Sequence, residues 1–301
     1  MDKTEVSFPG LGLHFNVSPV AFTIGNFEVY WYGLIIATAM IVCVLLALKH
    51  AHKNKFAKDL IYDIMIVSIP SAIVGARLYY VLCEWSYYSA DLKRIFDTRS
   101  GGLAVYGGII GAFLGAFIML RIKKIPFSTC ADYCIVYIPL GQAIGRWGNF
   151  FNQEAFGTTT SLPWGMTSSE VSSYLSSHCP NLDPSMPVHP TFLYESLFNV
   201  LLFFILLYVR KRSKYAFETT SVYMILYGAI RFLIEGLRTD SLYIANTDLR
   251  TSQVLSLVLV LTGLIYIAVA HTKDIAREDL PQWVLDLDNK TTGKKAVAEK
   301  K

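Results

Sequence analysis

The chain has 301 residues and a formal net charge of +4, and it is 53% hydrophobic with only 17% charged residues. Soluble domains carry about 25% charged residues, so this composition excludes an ordinary soluble protein and places the chain in a bilayer. It gives no footprint for nucleic acid either, because Lys and Arg form short clusters between apolar runs, where they act as topology signals and contacts for anionic membrane lipids.

Seven apolar segments of 17 to 23 residues are predicted as spans, at 29–48, 60–82, 102–120, 131–147, 191–208, 219–237 and 254–270. Each is close to the ~20 residues that cross about 30 Å of hydrocarbon. The second and fourth carry internal Pro, Gly or charge, so their ends are the least defined. Residues 1–28 lack a basic flank followed by an apolar run, so no cleaved signal peptide is expected and the first span serves as the insertion signal.

Basic residues follow the odd spans: Lys49, Lys53, Lys55 and Lys58, then Arg121, Lys123 and Lys124, then Arg210, Lys211, Arg212 and Lys214, then a Lys-rich tail. The other side holds only Lys3, Lys93, Arg94, Arg99, Arg238 and Arg250. The positive-inside rule puts the N-terminus outside and the C-terminus in the cytoplasm. The 42-residue segment 148–189 contains no Lys or Arg, is rich in Ser, Thr, Pro and aromatics, and is expected to form a small extracytoplasmic cap.

The expected architecture is therefore an all-α polytopic membrane protein with seven transmembrane helices. A membrane domain runs over 1–273 and a polar cytoplasmic tail over 274–301, with a short interfacial helix at 281–287 and disorder from Asp288. The five cysteines show neither a CxxC pair nor Cys/His spacing of zinc type, so no structural disulfide and no metal are expected.

Polar clusters within this apolar frame carry the candidate chemistry. Trp31-Tyr32-Gly33 opens the first span, where aromatic belts occur in any case. Arg77 follows Gly75 in the second, with Tyr79, Tyr80 and Glu84 nearby, and suits either structural pairing or headgroup binding. The third opens on Gly101-Gly102 and Gly107-Gly108 around Tyr106, then Gly111 and Gly115. Small residues at this spacing let helices approach closely, and paired glycines also let backbone approach a ligand; both readings stand.

Residues 145–157 read GRWGNFFNQEAFG, an arginine ending an apolar helix and followed by amides, an acid and glycines. Arginine at a helix centre in lipid costs roughly 2.5–3.5 kcal/mol, which makes binding or catalysis its default role; snorkelling to the headgroups is the bland alternative. His189-Pro190 precedes the fifth span, with Tyr194 and Glu195 just inside, and Glu195 needs a partner such as arginine. A lone histidine there is more often structural than catalytic.

Tyr227, Arg231, Glu235 and Arg238 share one face of the sixth span. Arg231 and Glu235 suit a satisfied i, i+4 pair. The face nevertheless counts two arginines for one acid, and arginine's planar fork matches phosphate. With Arg77, Arg146 and Arg231 all in outer halves of different spans, physics alone points to a site for an anionic lipid headgroup opening to the outer leaflet.

These residues resemble the bacterial phosphatidylglycerol–prolipoprotein diacylglyceryl transferase family. The likeness rests on GRWGNFFNQEAFG, Trp31-Tyr32-Gly33, Gly75-x-Arg77, GGLAVYGGIIGA, the run from His189 to Glu195, and the run from Tyr227 to Arg238, in this order over nearly the whole chain. The resemblance implies a multi-pass enzyme of the bacterial cytoplasmic (inner) membrane with its site toward the outer face. It would move the diacylglyceryl group of phosphatidylglycerol to the thiol of a lipobox cysteine in prolipoprotein signal peptides, without a cofactor.

It further implies that Arg146 and Arg231 meet the phosphate and leaving group, and that Asn149, Glu154, Gly157, Tyr32, Tyr227 and Arg77 shape the lipid site. Asn149 would shape the headgroup pocket, and Glu154 would orient an arginine. His189, Glu195, Glu235 and Arg238 would support them. One departure stands out: many members have a histidine, proposed as the base, where this chain has Tyr106. Tyrosine's ordinary pKa near 10 makes it a poor base, so Tyr106 is expected to position by donating a hydrogen bond while positive potential activates the thiol.

A transporter or flippase for an anionic lipid or solute is the rival reading, but it predicts a polar path across the bilayer, and the cytoplasmic halves of spans one, five and seven are apolar. A structural subunit with internally paired charges is the other, and it predicts arginines that tolerate replacement by Met.

Overall fold

Apolar runs long enough to satisfy their own backbone become helices here, because lipid offers no partner for a free N–H or C=O. The computed structural model describes residues 3–97, 101–244 and 247–286. The strands are β1 (Thr4–Phe8), β2 (Leu13–Val17), β3 (Val20–Ile24), β4 (Phe27–Tyr30) and β5 (Thr167–Ser168). The helices are α1 (Trp31–Ala51), α2 (Lys58–Cys83), α3 (Trp85–Tyr88), α4 (Val105–Ile122), α5 (Phe127–Cys134), α6 (Ile138–Asn152), α7 (Ser169–His178), α8 (Thr191–Arg212), α9 (Glu218–Leu237) and α10 (Thr251–Thr272).

Among the described residues six helices, α1, α2, α4, α8, α9 and α10, are long and apolar enough to cross a membrane. The segment expected at 131–147 is not one continuous helix. Residues Ile135–Tyr137 form a 3-10 turn between α5 and α6, and Pro139 sits in the first turn of α6. Proline has no N–H for the preceding turn and fits best in the first turn of a helix, the place Pro139 takes in α6. The second piece then runs past Trp147 to Asn152 and carries the polar signature on its last turns.

The all-α expectation is corrected at the N-terminus. β1 pairs antiparallel with β2 and with β5, giving the order β2-β1-β5, while β3 and β4 form a hairpin across Gly25-Asn26. A Gly-Asn pair between β-branched and aromatic residues is a hairpin signal in its own right, and Val6 and Phe8 alternate with polar neighbours as a half-buried strand requires.

By packing, the chain divides into two units, residues 1–46 with 131–277, and residues 47–130 with 278–301. In the first, Val6, Phe8 and Val17 of the strands bury against Phe150, Phe156, Met166, Val171, Leu175, Val188 and Phe192. Segment 148–189 is thereby a packed element that shares an apolar core with the N-terminal strands and the start of α8. Ser168 caps α7 by accepting the Val171 N–H at 3.2 Å. Small residues bring α1 to α6: a Cβ on Gly148 would strike the Tyr32 ring, and one on Gly145 would crowd Ile36.

In the second unit α2 and α4 pack along Gly75, Gly107, Gly111 and Ser71, where added side chains would meet backbone. The close-approach reading of Gly111 therefore holds. The start of the tail is not a free polar extension. Leu280 and Val284 are buried, the Thr129 hydroxyl donates to the Glu278 carbonyl at 2.5 Å, and residues 282–286 are helical. The disorder expected from Asp288 lies outside the described residues.

Candidate functional site

The end of α6, the start of α8 and the C-terminal part of α9 form the site of the first unit. α8 begins at Thr191 behind Pro190, which places Glu195 in its second turn. Glu195 is almost fully buried, its side chain 3% exposed, and two arginines close on it: Arg146 Nη2 at 2.5 Å from Oε2 and Arg231 Nη1 at 2.7 Å from Oε1. The Arg231 contact is an aligned hydrogen bond; the Arg146 contact is an ion pair without that alignment.

Arg231 also reaches Glu235 through Nη2 at 2.5 Å, one turn along α9. The sequence pointed to the need of Glu195 for an arginine and left the Arg231–Glu235 pair open beside an anion site. It did not foresee that one carboxylate would join Arg146 to Arg231.

Arg146 is held from the other side by amides. Its Nη1 donates to Asn149 Oδ1 at 3.3 Å, and Asn149 Nδ2 donates to Glu154 Oε1 at 2.8 Å, which also accepts from Asn152 Nδ2 at 3.2 Å. Glu154 thus steers the arginine through Asn149. The backbone on both sides of Glu154 is unusual, since Gln153 has φ +53° and Ala155 has φ +58°. A left-handed conformation in non-glycine residues costs about 1–3 kcal/mol, persists only where the surroundings over-determine it, and clusters at functional sites.

Gly157 is fixed by close approach. A Cβ there would strike His189 and crowd the Leu237 carbonyl, because Gly157 bridges to Arg238 and donates its N–H to the His189 carbonyl at 2.9 Å. This tie locks the signature loop to the end of α9.

The expected excess of positive charge is not present. Arg238 forks onto Asp240 at 2.8 and 2.6 Å, and Arg250 donates to the Glu235 carbonyl. Four arginines (146, 231, 238 and 250) are matched by four acids (154, 195, 235 and Asp240). Glu195 comes from α8 and Asp240 from the turn after α9, and neither lies on the helix face that carries Arg231, Glu235 and Arg238. What the site offers an anion is directed donors. Each guanidinium has five N–H groups, and the carboxylates and amide around Arg146 and Arg231 engage only part of them. The two side chains are 23% and 14% exposed.

Tyr32 lies against Gly148 of α6, and Tyr227 stacks on Tyr223 with ring centroids 5.2 Å apart. Sequence reasoning missed Tyr223 and Gln142, whose side chains meet at 3.1 Å. Gln142 is i−4 to Arg146, and Tyr223 and Tyr227 are i−8 and i−4 to Arg231; that spacing was the available signal.

His189 contacts the start of α8. Its Nδ1 lies 3.1 Å from the Tyr194 hydroxyl, which accepts the Trp164 indole N–H at 2.8 Å. Burial pushes its pKa below the usual histidine value. As pH falls through about 6.5, the unfolded chain takes up the proton first, so stability is present above that pH and lost below it. The thermal midpoint is expected to drop between pH 7.5 and 5.5, and to drop less in His189→Asn; equal slopes in the two proteins would remove His189 as the cause.

Arg77 and Tyr106 belong to the second unit. Arg77 is buried and donates to five carbonyls, those of Ile95, Gly101, Gly102, Arg94 and Asp97, at 2.6 to 2.9 Å. All five N–H groups are thereby engaged by the loop entering α4, the structural pairing that the sequence left open for Arg77 beside headgroup binding. Gly102 fits this arrangement because its φ is +80° and a Cβ would collide with Arg77. Arg77→Met should leave these carbonyls without donors and make residues 94–97 and the Gly101-Gly102 pair cleavable by added protease; unchanged protection there would refute this. Tyr106, in the first turn of α4, is 42% exposed.

Comparison with known proteins gives the family. Residues 19–269 match the model of the family described as prolipoprotein diacylglyceryl transferase. The chain is 45% identical over 261 residues to a phosphatidylglycerol–prolipoprotein diacylglyceryl transferase of Finegoldia magna, covering 86% of this chain and 98% of that one. It is 42% identical over 262 residues to the protein of that name from Clostridioides difficile, covering 86% and 99%. A Listeria monocytogenes protein of the same name is 45% identical over 255 residues, covering 82% and 88%.

Proposed function

The chain belongs to the prolipoprotein diacylglyceryl transferase family, and on that premise we propose that it moves the diacylglyceryl group of phosphatidylglycerol to the lipobox cysteine of prolipoproteins. The observation that carries this reading is the convergence of Arg146 and Arg231, from separate helices, on one buried carboxylate.

In the reaction the cysteine thiolate attacks the glycerol carbon that bears the phosphate ester. A C–S bond forms as the C–O bond breaks, and the electron pair leaves with oxygen as glycerol phosphate. The phosphate passes from one negative charge toward two, so donors aimed at it are worth more in the transition state than in the ground state. Arg146 and Arg231 fill that role. Glu195 and Glu235 fix the two forks, and the chain from Glu154 through Asn149 fixes Arg146, so little reorganisation is needed as charge develops. Tyr32 and Tyr227 flank the lipid.

Because the surrounding acids balance the arginines, thiolate stabilisation is local, through N–H groups facing sulfur. Tyr106 positions by hydrogen bonding. Turnover in Tyr106→Phe is expected to stay within about tenfold of wild type, since a neutral hydrogen bond contributes about 1 kcal/mol; abolished turnover would contradict a positioning role limited to that bond.

Further parts of this reading are seven passes, with α5 and α6 together making the fourth, an outside N-terminus, and residues 148–189 as an extracytoplasmic cap. The Lys and Arg clusters support this orientation in the bacterial cytoplasmic membrane. The test is incubation of purified protein with phosphatidylglycerol and a lipobox peptide, followed by mass spectrometry. A diacylglyceryl mass gain on the Cys peptide and none on its Cys→Ser control is expected; no gain with folded protein would overturn the assignment.

A further inference from the structure

One turn before the arginines, α6 and α9 bring a second polar layer together, which in the orientation proposed above lies at hydrocarbon depth. Gln142 lies one turn before Arg146 on α6, a rise of about 6 Å, and Tyr227 lies one turn before Arg231 on α9. The Gln142 Nε2 to Tyr223 Oη contact, at 3.1 Å, engages one end of the Gln142 amide, and the other end is buried without a partner. A buried amide group left unpaired carries a desolvation penalty, which a native protein normally relieves with water or a ligand.

We infer that the Gln142–Tyr223 pair recognises an ester carbonyl of the lipid's diacylglyceryl group, making Gln142 a specificity-determining residue for the lipid substrate. This rests on the reading that the phosphate is held by Arg146 and Arg231. With the phosphate there and the lipid's tails directed inward, the glycerol esters fall a few bonds deeper, at the level of Gln142. Ester oxygens are the only polar groups that a diacylglyceryl moiety offers at that depth, and they accept hydrogen bonds without donating any. The two ends of a glutamine amide are nearly isosteric. Turned end for end, the Gln142 carbonyl accepts the Tyr223 O–H, and the NH₂ end becomes the free donor that an ester carbonyl fits. An ether-linked lipid lacks that carbonyl and leaves the amide unpaired.

The experiment measures kcat/KM for transfer to a lipobox peptide from diacyl phosphatidylglycerol and from its dialkyl ether analogue of matched chain length. Wild type is expected to favour the diester about fivefold, the value of one hydrogen bond. Gln142→Leu should bring the ratio near one, and Tyr223→Phe, which frees the amide from its anchor, should give an intermediate ratio. The ratio cancels losses from impaired folding, and Tyr223→Phe alone decides the matter if Gln142→Leu is not recovered. A wild-type ratio near one, or a ratio unchanged in the variants, overturns the inference alone. Transfer from neither lipid by wild type overturns the transferase reading and this inference with it.

Discussion

Arg231→Lys is expected to lower transfer by about 10²–10³-fold, the loss that follows removal of one preorganised donor to a developing oxyanion. Arg231 bridges Glu195 and Glu235 with its two Nη groups and keeps donors for the substrate. Lysine keeps the charge but presents a point ammonium on a flexible stem, which cannot hold two carboxylates in the same plane. The loss should fall mainly on kcat, because the extra phosphate charge exists only as the C–O bond breaks. Single-turnover transfer to a lipobox peptide, read by mass, checks this. An Arg231→Lys enzyme with wild-type kcat would show that the guanidinium is a helix lock rather than part of the transfer machinery.

Glu195→Ala is expected to be the most destabilising change in the site. The carboxylate is buried and meets a guanidinium on each oxygen. Its removal leaves Arg146 and Arg231 as uncompensated charges in a low-dielectric bundle, and breaking such a pair typically costs about 3–5 kcal/mol. For a chain of this size that corresponds to a fall in thermal midpoint on the order of 10 °C. Glu195→Gln, which keeps the shape and one acceptor, should fall less far and still lose transfer, since α6 and α9 would no longer be drawn to one point. Thermal unfolding in detergent alongside the peptide assay separates the two effects. A Glu195→Ala protein with an unchanged midpoint would mean that water already solvates the two arginines.

How much of this was legible in the sequence depended on whether the relevant spacing lay within one helix. Arg231 and Glu235 are four residues apart, so their pairing follows from helix geometry alone. The partner of Arg146 lies 49 positions away on another helix (Glu195), and only its buried charge hinted that it needed one. The carbonyls that engage Arg77 belong to a loop whose path no local rule specifies. The strands of residues 4–30 carried their own signals, a Gly-Asn turn and apolar alternation, but these are short and weak beside the long apolar spans.

By itself the sequence determined that this is a helical membrane protein and where its apolar segments lie, because hydrocarbon demands long runs that satisfy their own backbone. It also determined which polar residues stand out against that background, because each would be costly there without a role. Tertiary structure alone decided the charge balance. The acids that offset Arg146 and Arg238 are distant in sequence or sit beyond a helix end, and electrostatic pairing depends on distance through space. It likewise decided the polar layer at Gln142, which depends on how α6 meets α9.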